Sequence, residues 1–317
     1  MARVSVIIPT FNREAFVVKA VGSVLKQIFK DYELIVVDDG STDATRAALQ
    51  PFAQRIKYVY QENSGVSAAR NAGVRLAMGE WLAFLDSDDE WSDRYLAEQM
   101  QAADQNPDVS MQVADCLFLG LNGEQRTYFE MNGAAAEFKE ANYLRPQNPF
   151  AFLIRHQPWP FVAATIRREA ILKAGIFDAS LKISEDMDLM ARVALQGPVG
   201  LLNQQLGTVY RRRETIGSLT GFAKADPIWA RESDERLYQK LAALHTLSRN
   251  DRRALNQVRS ANQRAMGNLL WADGKWRESR NAYRTAVVID PSIRSLGKYL
   301  SSFLRQTARH QTNVAGD

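Results

Sequence analysis

The stretch WLAFLDSDDEW (residues 81–91) runs five apolar residues, Trp81 to Leu85, directly into Asp86, Asp88, Asp89 and Glu90. The apolar half reads as a strand buried on both faces. The acidic half is costly on its own, because crowded carboxylates repel unless a cation or a basic group shares the site. The stretch therefore predicts a strand whose carboxyl end requires a positive partner.

Working outward, the same pattern recurs. VSVIIPT (4–10) is a continuous β-branched run, and REAFVVKAVGSVLKQ then puts Phe16, Val17, Ala20, Val21, Val24 and Leu25 on one helical face. YELIVVDDGS (32–41) reads as a second buried strand and STDATRAALQPFA as a helix capped by Ser41 or Thr42. IKYVYQ, VSAARNAGVRLAM and WLAFLD continue as strand, helix and strand. Such alternation predicts an α/β fold, a mostly parallel sheet flanked by helices. Thr10 and Asn12, Asp38 and Asp39, and Asp86 and Asp88 all follow strands, the edge where open α/β sheets bind ligands.

Further on, SDRYLAEQM reads as a helix with Ser92 or Asp93 as its cap. SEDMDLMARVALQG (184–197) reads as another capped helix, with Asp188 on its surface. GPVGLLNQQLGTVYRRRETIGS reads as one or two strands leading into a basic loop. Helix formers dominate from about Asp226, which places a boundary near 222–226: an α/β domain over 1–222 and an all-helical segment over 223–317. There, Gly267, Leu270, Ser279, Tyr283, Ala286 and Pro291 match the spacing of a tetratricopeptide unit, a hairpin repeat of about 34 residues. A plain helical hairpin over 258–291 is the alternative. In 292–311, Ile293, Leu296, Tyr299, Leu300, Phe303 and Leu304 share one helical face, flanked by Arg294, Lys298, Arg305 and Arg309. A basic amphipathic helix of this kind suits an anionic membrane surface. The competing expectation is that the apolar face docks on the preceding hairpin.

The 317 residues suffice for about two domains. A net charge of +4 fits anionic ligands or a membrane surface and gives no case for nucleic acid. The lone Cys116, in an apolar stretch, is expected to be inert packing. His156, His245 and His310 are too scattered for a zinc site. No signal peptide or membrane span is expected, so the expected compartment is the cytoplasm.

VSVIIPTFNR, ELIVVDDGSTD, NSGVSAARNAG, WLAFLDSDD and ISEDMDL occur in the order and at the separations seen in family 2 glycosyltransferases, which this chain resembles over about residues 3–215. The resemblance implies a GT-A fold and an inverting, metal-dependent transfer from a nucleotide-sugar, expected to be UDP-linked. A glycan, lipid-linked or protein hydroxyl would be the acceptor, in the setting of polysaccharide biosynthesis. Asp86-Ser87-Asp88 matches the D-x-D motif: Asp88 is implied as the main ligand of Mn²⁺ or Mg²⁺, with Asp86 nearer the ribose or a metal-bound water. Pro9, Thr10, Phe11 and Asn12 resemble the nucleotide cradle and Asp39 the residue that binds the base, while Asp38 suits backbone N–H groups in its turn. Arg70 matches an arginine that reaches the nucleotide. Asp186 is implied as the base and Glu185 as an acceptor-binding residue. Arg213 stands where the family often has His; it can neutralise phosphate without coordinating metal.

Two other classes compete. A non-catalytic sugar-nucleotide-binding scaffold would act through the helical tail, by partner binding or self-association; the presence of Asp86, Asp88 and Asp186 argues against it. A sugar-phosphate nucleotidyltransferase would need a glycine-rich basic loop after the first strand, and PTFNREAF contains no glycine.

Overall fold

The computed structural model describes residues 2–120, 123–157, 160–210 and 225–302. The chain divides into two compact units, residues 1–215 and 216–317.

In the first unit, β1 (Val4–Thr10) lies between β2 (Tyr32–Asp38) and β4 (Trp81–Phe84), and β3 (Lys57–Tyr60) pairs with β2, all in parallel. Every residue of β1 is buried, as its β-branched run requires. α1 (Val17–Leu25), the short α2 (Thr45–Leu49) and α3 (Val66–Leu76) follow β1, β2 and β3. α3 packs so closely on β1 that a Cβ at Gly73 would come within 2.4 Å of Ile7 Cγ2. Beyond β4 the sheet becomes mixed. β5 (Glu90–Trp91) and α4 (Tyr95–Gln105) come next in the chain, followed by β6 (Met111–Leu119), β7 (Gln125–Thr127), α5 (Tyr128–Met131), β8 (Tyr143–Leu144) and α6 (Pro149–His156). Then come β9 (Ala164–Arg167), α7 (Arg168–Ala174), α8 (Glu185–Ala194) and β10 (Val199–Tyr210). The order is β3-β2-β1-β4-β9-β6-β10-β5. β9 runs antiparallel to both β4 and β6, while β6 and β10 are parallel.

Several expected helix ends differ. Ser41 and Thr42 cap nothing: Ser41 Oγ accepts from the Asn12 backbone N–H at 2.9 Å, and the Thr42 N–H donates to Asn12 Oδ1 at 2.8 Å. Neither Ser92 nor Asp93 caps α4. Gln27, 69 residues away, accepts from the Leu96 N–H at 2.8 Å instead. Ser184 precedes α8 in a left-handed conformation (φ +64°) and makes no side-chain cap. Cys116 is fully buried, and burial pushes its thiol pKa up, in keeping with inert packing.

In the second unit, α9 (Pro227–Ala242), α10 (Arg249–Ala272) and α11 (Trp276–Ile289) are followed by a helical stretch over 293–302. α10 and α11 pair as a hairpin: Ser279 Oγ donates to the Gly267 carbonyl at 2.7 Å, and a Cβ on Gly267 would sit 2.5 Å from the Tyr283 ring. Packing of this kind serves any close antiparallel hairpin. No helix among the described residues is long and apolar enough to cross a membrane.

Candidate active site

Four segments meet around one arginine. α3 carries Arg70, which is 4% exposed. Its Nη2 donates to Asp86 Oδ1 at 2.8 Å and its Nη1 to Glu185 Oε1 at 2.7 Å. Its guanidinium lies 5.0 Å from the Phe161 ring centre and 5.5 Å from that of Phe177. Burial opposes its charge, but Asp86, Glu185 and Asp186 more than offset this, so its pKa is raised and it stays a cation. The Asn71 side chain clasps the Phe177 backbone from both sides, accepting from its N–H at 2.9 Å and donating to its carbonyl at 2.8 Å. Arg70 is thus no surface charge. It ties the loop after β4 to the start of α8, which are about a hundred residues apart in the chain.

The acidic knot after β4 finds its positive partners within the chain. Asp86 pairs with Arg70, and Asp88 Oδ2 lies 3.8 Å from Arg13 Nε. Asp89 accepts from the Tyr210 N–H at 3.0 Å. The side chains of Asp86 and Asp88 nevertheless stay 37% and 23% exposed. Among the described residues no cluster of three or more His, Cys, Asp or Glu could hold a metal. Two accessible carboxylates, two residues apart, fit a hard cation that takes its remaining ligands from phosphate oxygens. They do not fit one caged by protein alone.

At the amino terminus of α8, Asp186 is partly open to solvent yet set among charged groups. Burial is the largest cause of its raised pKa and Glu185 adds to it; Arg70 and the Met187 N–H, donating at 2.7 Å, oppose both. The result is a carboxyl pushed up to about 7. The sequence placed Asp188 on the helix surface. That reading is overturned: Asp188 is fully buried, and its Oδ2 accepts from Arg192 Nε at 2.9 Å and Nη2 at 2.6 Å. Arg192 in turn donates to the carbonyls of Ala174, Gly175 and Ile176. This clamp fixes α8 against the segment that carries Phe177.

The nucleotide-cradle residues gather at the carboxyl end of β1. Pro9 lies inside the strand, Thr10 is buried with no hydrogen-bond partner for its Oγ1, and Phe11 is exposed. Asn12 (φ +51°) holds the 41–42 turn. Asp38 accepts from the Ser41 N–H at 2.8 Å and from the Tyr58 hydroxyl at 2.7 Å. Asp39 does similar work: it accepts from Gln61 Nε2 at 2.6 Å, the Ser64 N–H at 3.0 Å and the Gly65 N–H at 2.8 Å. Ser87 is buried in the loop after β4. Arg213 lies outside the described residues. Arg13 was missed by sequence reasoning; its only signal was a cation two residues past Phe11.

Residues 5–168 match the model of Glycosyl transferase family 2. An uncharacterized glycosyltransferase of Bacillus subtilis, EpsJ, is 29% identical over 226 residues, which are 68% of this chain and 62% of that protein. The chain thus spans under two thirds of that relative's length. Among solved structures, S. aureus TarS 1–349 in complex with UDP-GlcNAc superposes with a TM-score of 0.67, at 17% identity, over 98% of this chain and 92% of that one. The mannosyltransferase PcManGT of Pyrobaculum calidifontis, in complex with GDP-Man and Mn²⁺, gives 0.57 at 17% identity, over 97% and 79%. At such identities the likeness shows a shared fold.

Proposed function

Since the chain belongs to glycosyl transferase family 2, we propose that it is an inverting glycosyltransferase that moves a sugar from a nucleoside-diphosphate donor to an acceptor hydroxyl. The observation that carries this reading is the bridge through Arg70, which ties Asp86 to Glu185, the neighbour of Asp186, so that Asp86 and Arg70 both act on the Asp186 carboxyl. Direct displacement needs a leaving-group site and a base on opposite sides of one sugar.

Asp88 and Asp86 would hold Mn²⁺ or Mg²⁺ together with the donor diphosphate; the ion supplies Lewis-acid stabilisation of the departing charge. Asp186 takes the proton of the acceptor hydroxyl as that oxygen attacks the anomeric carbon. A base whose pKa lies near neutrality combines a usable ionised fraction with real proton affinity. Arg70 keeps Asp86 and Glu185 in register, leaving Glu185 to orient the acceptor. Thr10 Oγ1, buried without a partner, supports a polar donor contact at the end of β1, with Phe11 against the base. Asp39, though it accepts three hydrogen bonds, retains acceptor capacity for the imide N–H of uracil. This and the complex of TarS with UDP-GlcNAc favour a UDP-linked donor. Arg13, near Asp88, would neutralise phosphate, a role that the family resemblance extends to Arg213. The acceptor class is a glycan or a lipid-linked saccharide.

Calorimetric titration with UDP-sugars in Mn²⁺ tests the donor half. Asp88→Ala is expected to lose metal-dependent donor binding while keeping its far-ultraviolet circular dichroism. Unchanged, chelator-insensitive binding by that variant would remove the metal from the reading.

A further inference from the structure

The helix over 293–302 is seated by its polar side. Ser295 and Ser302 are buried, and Ser295 Oγ shares hydrogen bonds with Ser260 Oγ at 2.9 Å and Arg264 Nη1 at 2.8 Å, both on α10. Lys298 Nζ donates to Asn268 Oδ1, also on α10, at 3.2 Å. The expectation that the apolar face docks on the hairpin therefore fails over these residues. At 100° per residue, Ile293, Leu296 and Leu300 fall on the side away from the two serines, and they are 91%, 47% and 54% exposed. Val288, near the end of α11, is 77% exposed as well. An amphipathic helix whose serines face inward and whose aliphatic residues face water is missing an apolar neighbour.

Charge says which neighbour. Residues 226–317 carry sixteen Lys and Arg against nine Asp and Glu, whereas residues 1–225 carry 24 against 27. The excess positive charge of the chain thus lies entirely in the helical segment. Arg294 is exposed on the turn that carries the aliphatic stripe, whereas Lys298 is turned toward α10. A second copy would bring one basic unit against another, which like-charge repulsion opposes. A few aliphatic side chains also make too small a patch for a stable protein interface of about 1,000 Å² or more. Shallow insertion of a few aliphatic residues, with cations beside anionic headgroups, is what a helix lying in a bilayer surface uses.

We infer that the outward face of residues 288–300 is a docking surface for an anionic phospholipid bilayer. Ile293, Leu296 and Leu300 enter the boundary between headgroups and acyl chains, and Arg294 meets the phosphates. This goes beyond the glycosyltransferase reading and does not depend on it. The test is co-sedimentation of the full chain with phosphatidylcholine vesicles, with and without phosphatidylglycerol, at low and high salt. Wild type is expected to pellet with the anionic vesicles at low salt and to be released by high salt. The double variant Ile293→Asp/Leu300→Asp should bind about tenfold or more weakly, and Arg294→Glu should weaken the preference for anionic lipid. Both variants change solvent-facing positions, so circular dichroism and melting should match wild type. Equal binding by wild type and the aliphatic variant would overturn the inference. So would failure of wild type to bind anionic vesicles, or a lipid-independent dimer that the aliphatic variant abolishes.

Discussion

Asp186 is poised between opposing neighbours, and the opposition makes it testable. Burial and Glu185 favour its proton, while Arg70 and the Met187 N–H favour its charge. A general base works ionised, so kcat/KM should rise with pH and level off above a midpoint at about 7. Replacing Glu185 by Gln removes a negative neighbour and should move that acid limb to lower pH; an unmoved limb would take the titration away from Asp186. At this scale the sequence was partly legible. The resemblance of ISEDMDL to the family motif singles out Glu185 and Asp186, which helical pattern alone reads as acids at a helix start. The role of Arg70 was hidden, because its partners lie 16 and 115 residues away. Asp188 was misread for a similar reason. Helical spacing cannot reveal that Arg192 turns inward to meet three carbonyls of another segment.

Among elements, α8 carries the proposed base, and it is held by a buried ion pair rather than by an end cap. Asp188→Ala leaves Arg192 charged and uncompensated against three carbonyls. Loss of one partner of a buried pair costs about 3–5 kcal/mol. The expected outcome is a lower denaturant midpoint together with weakened turnover, measured on purified protein; a variant as stable as wild type would show that the clamp contributes little. The strands β1, β2 and β4 were legible because strands buried on both faces read as unbroken apolar runs. The antiparallel insertion of β9 between β4 and β6 was not, since pairing partners are set by the whole sheet. Helix ends failed where the capping group came from afar, as Gln27 does for α4.

At the scale of the molecule, the family match covers residues 5–168 and stops short of α8, so the proposed base rests on the resemblance of ISEDMDL together with the geometry around Asp186. That geometry makes a strong demand: donor binding and transfer must separate. In the proposed reaction Asp86 and Asp88 serve the donor, whereas Asp186 serves the acceptor proton. The most direct test measures donor affinity and nucleotide release side by side for wild type and Asp186→Asn, with Mn²⁺ and a panel of UDP-, GDP- and dTDP-sugars. Asparagine is nearly isosteric but takes no proton, so turnover should fall about 10²–10⁴-fold while the dissociation constant of the preferred donor stays within a few-fold of wild type. Undiminished turnover by Asp186→Asn, or wild type that neither binds nor cleaves any donor in the panel, would contradict the account.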